Sequence, residues 1–109
     1  MKSNIYFRLS TLTNQMDYFY IQQFSNEEGE YLANKALKSQ IAQFIIEMKS
    51  LNEHSVAFQA MQLLCDNTGC KEDVEILNEI IDVFVEYNIF DDEILKDCLN
   101  NLPVSRWLS

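Results

Sequence analysis

The clearest pattern in the chain runs from Lys71 to Tyr87, KEDVEILNEIIDVFVEY. Val74, Leu77, Ile81, Phe84 and Val85 gather on one side of a helical wheel. Glu72, Glu75, Glu79, Asp82 and Glu86 follow one another at steps of three, four, three and four, and so share the opposite side. The spacing predicts an amphipathic helix over Lys71–Tyr87, with Asn88 as its C-terminal stop. Near the N-terminus, Ile5, Leu9, Leu12, Met16, Phe19 and Tyr20 recur at helical steps, predicting a helix from Ile5 to Gln23 capped by Asn4. Phe7, Tyr18 and Ile21 fall on its other side. Two apolar faces mark a central buried helix or one shared with a partner. The alternative over Ile5–Leu9 is a strand, because tyrosine and phenylalanine favour pleated surfaces.

Three further elements complete the pattern. Ser25 followed by Glu28 is a capping box, and the stripe Leu37, Ile41, Phe44, Ile45 and Met48 carries a second helix to about Lys49, with Gly29 weakening its first turn. A third helix over Glu53–Asp66 buries Val56, Ala57, Ala60, Leu63 and Leu64 and stops at DNTG, residues 66–69. Asp91 caps a short fifth helix bearing Ile94, Leu95, Cys98 and Leu99, and Pro103 forces Leu102 out of helical geometry. No internal repeat, low-complexity segment or linker interrupts the chain. The expected architecture is all-α: residues 1–109 as a single helical domain, a compact bundle of about five helices.

Composition supports that reading. Only two glycines and one proline occur in 109 residues, too few for a turn-rich all-β fold. With 48% hydrophobic and 23% charged residues, the chain falls in the globular range rather than the disordered one. The three cysteines, Cys65, Cys70 and Cys98, have no framework spacing, which points to reduced thiols and a cytoplasmic protein. The opening residues lack an uninterrupted apolar core and a small-residue cleavage site, so no signal peptide is expected. No apolar run approaches the roughly 20 residues of a membrane span.

Charge changes the picture more. The net charge is −9 and uneven: residues 67–109 carry ten acids against Lys71, Lys96 and Arg106. Such a field repels phosphate backbones and anionic membranes, so neither nucleic acid nor membrane is an expected partner. A basic protein would be attracted. The acids continue past the fourth helix as Asp91, Asp92 and Glu93, and no lysine or arginine lies between Lys71 and Lys96. A surface built for stability alone interleaves both signs.

Catalytic and metal chemistry find little support. His54 is the only histidine, and with Cys65, Cys70 and Cys98 it forms no matched pair of zinc ligands. A Cys–His nucleophile would need an oriented base and an oxyanion site, and no pattern supplies them. Counted from Asp66, a calcium loop would need glycine where Lys71 stands and glutamate where Leu77 stands. Gly29 and Gly69 are too far apart for a phosphate loop. Carboxylates on a helix face opposite the apolar side point to solvent rather than into a catalytic pocket. The expectation is therefore a protein that is not an enzyme, with no cofactor, no metal and no catalytic residue.

The candidate partner-binding residues are Glu72, Glu75, Glu79, Asp82 and Glu86, with Asp91, Asp92 and Glu93 beside them. Seven of the thirteen aromatics lie in the first 31 residues; core packing accounts for most, but Phe7 and Tyr18 face away from the main stripe and suit an interface. Trp107, in the tail, is a further candidate anchor, the alternative being that the tail folds back on its own bundle.

In size, acidity and Asn/Ile-rich composition along its whole length, the chain resembles the immunity proteins that protect bacteria from nuclease toxins, including those of contact-dependent growth inhibition systems. The resemblance rests on no motif, and no residue role is carried over from the family. It implies a stoichiometric inhibitor whose partner is a basic toxin domain. Two competing classes use the same features: a DNA-mimic or anti-defence inhibitor of a nucleic-acid-binding protein, and a secretion chaperone or scaffold that forms a homodimer through the two-faced first helix.

Overall fold

The computed structural model describes residues 2–21, 27–68 and 71–100, with side chains placed for residues 4–17, 32–68 and 71–100. Among these residues the only regular elements are helices: α1 (Lys2–Ile21), α2 (Glu27–Ser50), α3 (His54–Asp66), α4 (Lys71–Glu86) and α5 (Asp92–Asn100). The strand alternative for Ile5–Leu9 is overturned, since those residues lie within α1. Asn4 also lies inside α1 rather than capping it. It is exposed, and water can satisfy first-turn amides without a side-chain cap. Ser25, Cys70, Pro103, Trp107 and the side chains of Tyr18, Phe19 and Tyr20 lie outside the described residues.

The helix ends are closed by local chemistry. α2 and α4 both finish with an asparagine in the left-handed region, Asn52 at φ 60° and Asn88 at φ 54°. At each end the following residue donates across the turn, Glu53 N to Met48 O at 2.8 Å and Ile89 N to Phe84 O at 2.9 Å. The asparagines themselves donate to Lys49 O and Val85 O, which completes a Schellman motif at both ends. Asparagine tolerates this conformation better than any other non-glycine residue here would, so Asn88 is the stop its position predicts. α3 ends differently. Asn67 Nδ2 donates to Leu63 O and Thr68 Oγ1 to Leu64 O, both at 2.8 Å, satisfying carbonyls that the helix leaves free.

α2 is the hub, packing against α1, α3 and α4, while α3 also carries α1 and α5. The core joins Ile41, Phe44, Ile45 and Met48 of α2 to Val56, Ala57, Ala60, Met61 and Leu64 of α3. From α1 it takes Ile5 and Met16. Phe84 of α4 meets Phe90 edge-on, with ring centroids 5.8 Å apart. Leu63, expected in the core, is only half-buried; Met61 and Cys65, at the other edge of the apolar side of α3, are buried instead.

α4 departs most from expectation. Val85 is exposed and Val74 half-buried, whereas Ile76 and Ile80, absent from the predicted face, are buried. At about 100° per residue, the buried sector is turned roughly 60° about the axis from the predicted one. Its centre is Asp73. This carboxylate is buried, and its Oδ1 accepts from Lys38 Nζ and Asn34 Nδ2, each at 2.6 Å. Lys38 Nζ lies 3.3 Å from Asn67 O, so one buried ammonium ties α2 to both α4 and the turn that precedes it. Asn34 Oδ1 is buried and accepts no hydrogen bond among the described residues. A charge taken out of water needs its partner at close range, and Asp73 has one at the centre of the sector that Ile76, Leu77, Ile80, Ile81 and Phe84 bury.

Candidate protein-binding face

That rotation places the acidic stripe. Glu72, Glu75, Glu79, Asp82 and Glu86 are all exposed, in a band about 21 Å long at 1.5 Å per residue. Among the described residues only Glu79 of the five has a cation within ion-pair distance, Lys35 Nζ of α2 at 3.4 Å. The stripe thus keeps most of its charge for solvent. Asp91, Asp92 and Glu93 are exposed as well. Asp92 and Glu93 occupy the first turn of α5, where the helix dipole already favours anions, so they have a local role too.

Apolar side chains accompany the acids. Val83 is 39% and Tyr87 66% exposed, and they succeed Glu79 at four-residue steps on the same side of α4. Val83 borders a hollow of about 380 Å³ between α2 and α4, together with Ala42, Ile46, Ile80 and Glu79. Tyr87 borders a second hollow of about 390 Å³, with Ile46, Lys49 and Ile89. Ile46 lines both, so the two hollows adjoin at α2 beside the stripe. The periodicity of α4 contained only the near wall, because Val83 and Tyr87 lie between the acids and Ile80 on the wheel.

Phe7 is exposed on α1, in keeping with its position off the main stripe. It borders a separate hollow between α1 and α2, where Arg8 lies over the Phe44 ring at 5.0 Å and reaches Glu47 at 2.6 Å. The structure does not bring Phe7 to the acidic stripe as part of one groove.

The candidate chemistry of His54 and the cysteines is dispersed. His54 begins α3 and accepts from Lys49 Nζ at Nδ1, 3.0 Å away. Cys65 is eleven residues on, about 16 Å along the same helix. Cys65 and Cys98 instead meet in a cleft of about 250 Å³ between α3 and α5. Burial pushes the Cys65 thiol far up, with neighbouring Cys98 adding to the shift. Burial also raises Cys98. Both stay protonated at neutral pH, the reverse of the lowered pKa that an attacking thiolate uses. Among the described residues, no group of three or more His, Cys, Asp or Glu side chains is placed to hold a metal ion. Among them, too, no helix is long and apolar enough to cross a membrane.

No family model matches the sequence, and the curated proteins and solved structures yield no significant match either.

Proposed function

We propose that this chain is a stoichiometric protein inhibitor, an immunity protein that acts in the cytoplasm by binding a basic toxin domain through the acidic face of α4. The observation that carries this reading is the unspent charge: four of the five stripe carboxylates lack a cation among the described residues. Like charges at three- and four-residue spacing cost a helix roughly 0.2–0.5 kcal/mol per pair, so the stripe is maintained against local stability. A basic partner turns that cost into attraction. Nuclease active sites are basic because they hold phosphates, and an acidic face covering one competes directly with substrate. Such a field accelerates encounter and excludes wrong partners more than it adds affinity.

The test starts with capture of the partner from the native host under rising salt. Association kinetics are then measured for Glu75→Lys with Asp82→Lys, two positions outside the Lys35 contact. Slower association with a flatter salt dependence is expected; unchanged kinetics overturn the reading. A nuclease encoded beside this chain identifies a toxin, whereas a defence protein identifies the DNA-mimic alternative. The exposed Phe7 favours a second reading, self-association through α1, which predicts a doubled mass in sedimentation that Phe7→Ser restores to monomer.

A further inference from the structure

We infer that the partner presents a cationic amphipathic helix whose apolar side enters the groove between α2 and α4. This rests on the proposed role of the α4 acids and adds what lies beside them. The groove floor is Ala42, Ile46 and Ile80, and its open edge is Val83 and Tyr87. An exposed valine and tyrosine four residues apart are costly to leave in water, and they are the side chains a docked helix would cover.

Charge decides the chemistry of the occupant. Glu79 lines the groove itself, while Asp82 and Glu86 flank Val83 at one and three residues. A helix entering here with apolar anchors meets carboxylates along one rim, so lysine or arginine must border those anchors. The two cations beside the groove are occupied. Lys35 lies against Glu79, and Lys49 sits 5.3 Å over the Phe90 ring with its ammonium on His54. A partner cation would displace Lys35 from Glu79 at little cost, because that pair is solvent-exposed.

Length and architecture point to a helix. From Glu79 to Tyr87 is about 12 Å along α4, matching anchors at i, i+4 and i+7 of a docked helix. Strand addition by an extended peptide would need a free sheet edge, and the described residues contain no strand.

The probe is a synthetic leucine–lysine peptide, apolar on one helical face, alongside a scrambled peptide of the same composition. Binding is followed by fluorescence anisotropy of the labelled peptides and by methyl shifts of the protein. The patterned peptide should bind tighter than the scrambled one and shift Ala42, Ile46, Ile80 and Val83. Val83→Asn with Tyr87→Ser leaves the charge and the buried core untouched. It should weaken binding by roughly tenfold or more, as expected when two apolar anchors are lost. Equal binding of both peptides, shifts elsewhere, or unchanged affinity in that variant overturns the groove. The stripe is read separately with Glu75→Lys and Asp82→Lys. If only this second variant weakens binding, the acidic face stands and the groove falls; if neither does, both fall.

Discussion

Two ion pairs in this protein have the same length and opposite surroundings. Lys38 Nζ–Asp73 Oδ1 and Arg8 Nη2–Glu47 Oε2 both measure 2.6 Å. The first pair's side chains are 1% and 4% exposed, the second's 44% and 46%. Distance does not distinguish them; solvent does. An exposed pair exchanges water for a partner and gains little, whereas a buried pair has given up its water and depends on its partner entirely. The buried pair therefore tolerates only the packing in which this side of α4 faces inward, the side that also buries Ile76, Leu77, Ile80, Ile81 and Phe84. The exposed pair clips α1 to α2 where water would serve almost as well.

The sharpest break of this contrast is Asp73→Ala, which strands the Lys38 ammonium in the interior. Removing one member of a buried pair costs about 3–5 kcal/mol, against a total stability of about 5–15 kcal/mol for a domain of this kind. Urea unfolding should show that loss, and Tm should fall by more than about 10 °C. Replacing the whole cluster, with Lys38→Met, Asp73→Leu and Asn34→Leu, should restore stability to within about 1 kcal/mol of the parent or above it. If the triple variant stays as unstable as Asp73→Ala, packing rather than charge is what Asp73 supplies. Asn34→Ala alone should cost less, about 1.5 kcal/mol. It removes one hydrogen bond to the carboxylate but also an acceptor, Oδ1, that has no partner among the described residues.

The same cluster explains what could and could not be read along the chain. Helix number, approximate bounds and the Asn88 stop follow from three- and four-residue spacing and turn chemistry, and the structure agrees. The face of α4 is misplaced because the stripe drawn through Val74 and Val85 leaves out Ile76 and Ile80, and because treating every acid as outward-facing excludes Asp73 from the core. Asn34, Lys38, Ile41, Ile45 and Met48 also repeat at steps of four, three, four and three, so Lys38 stands on the apolar side of α2. A lysine and an aspartate each out of place on neighbouring helices is the signal for a buried pair. What periodicity lacks is the partner's position, since Lys38 and Asp73 are 35 residues apart. The stripe was legible in full, because exposed charge needs no tertiary information. The groove beside it was not, because its second wall belongs to α2.

The stripe itself gives a smaller effect of opposite sign. Glu75→Lys with Asp82→Lys turns four neighbouring repulsions on α4, with Glu72, Glu79 and Glu86, into attractions, and one attraction, with Lys71, into a repulsion. It should raise unfolding free energy by up to about 1 kcal/mol at low ionic strength. The gain should shrink as salt rises, since exposed charges are screened over about 10 Å at 0.1 M. Asp73→Ala loses stability through the core, while this variant gains stability and impairs binding. A loss of stability in the double-lysine variant would mean that the stripe has unseen structural work.

The smallest effect belongs to the exposed pair. Glu47→Gln should cost under about 1 kcal/mol, because both partners keep water when the contact is lost. Its pH dependence has a definite sign. The hydrogen bond from Arg8 holds the Glu47 carboxyl below its usual range, so the folded state favours the charged form. That contribution is complete above the ordinary carboxylate value near about 4.3 and disappears as pH falls through the lowered folded value. The gap in unfolding free energy between parent and Glu47→Gln should therefore be measurable at neutral pH and close in acid. A gap of the same size at both pH values would assign the cost to packing of the Glu47 stem rather than to its charge. The 2.6 Å contact would then be no more than the resting place of two solvated side chains.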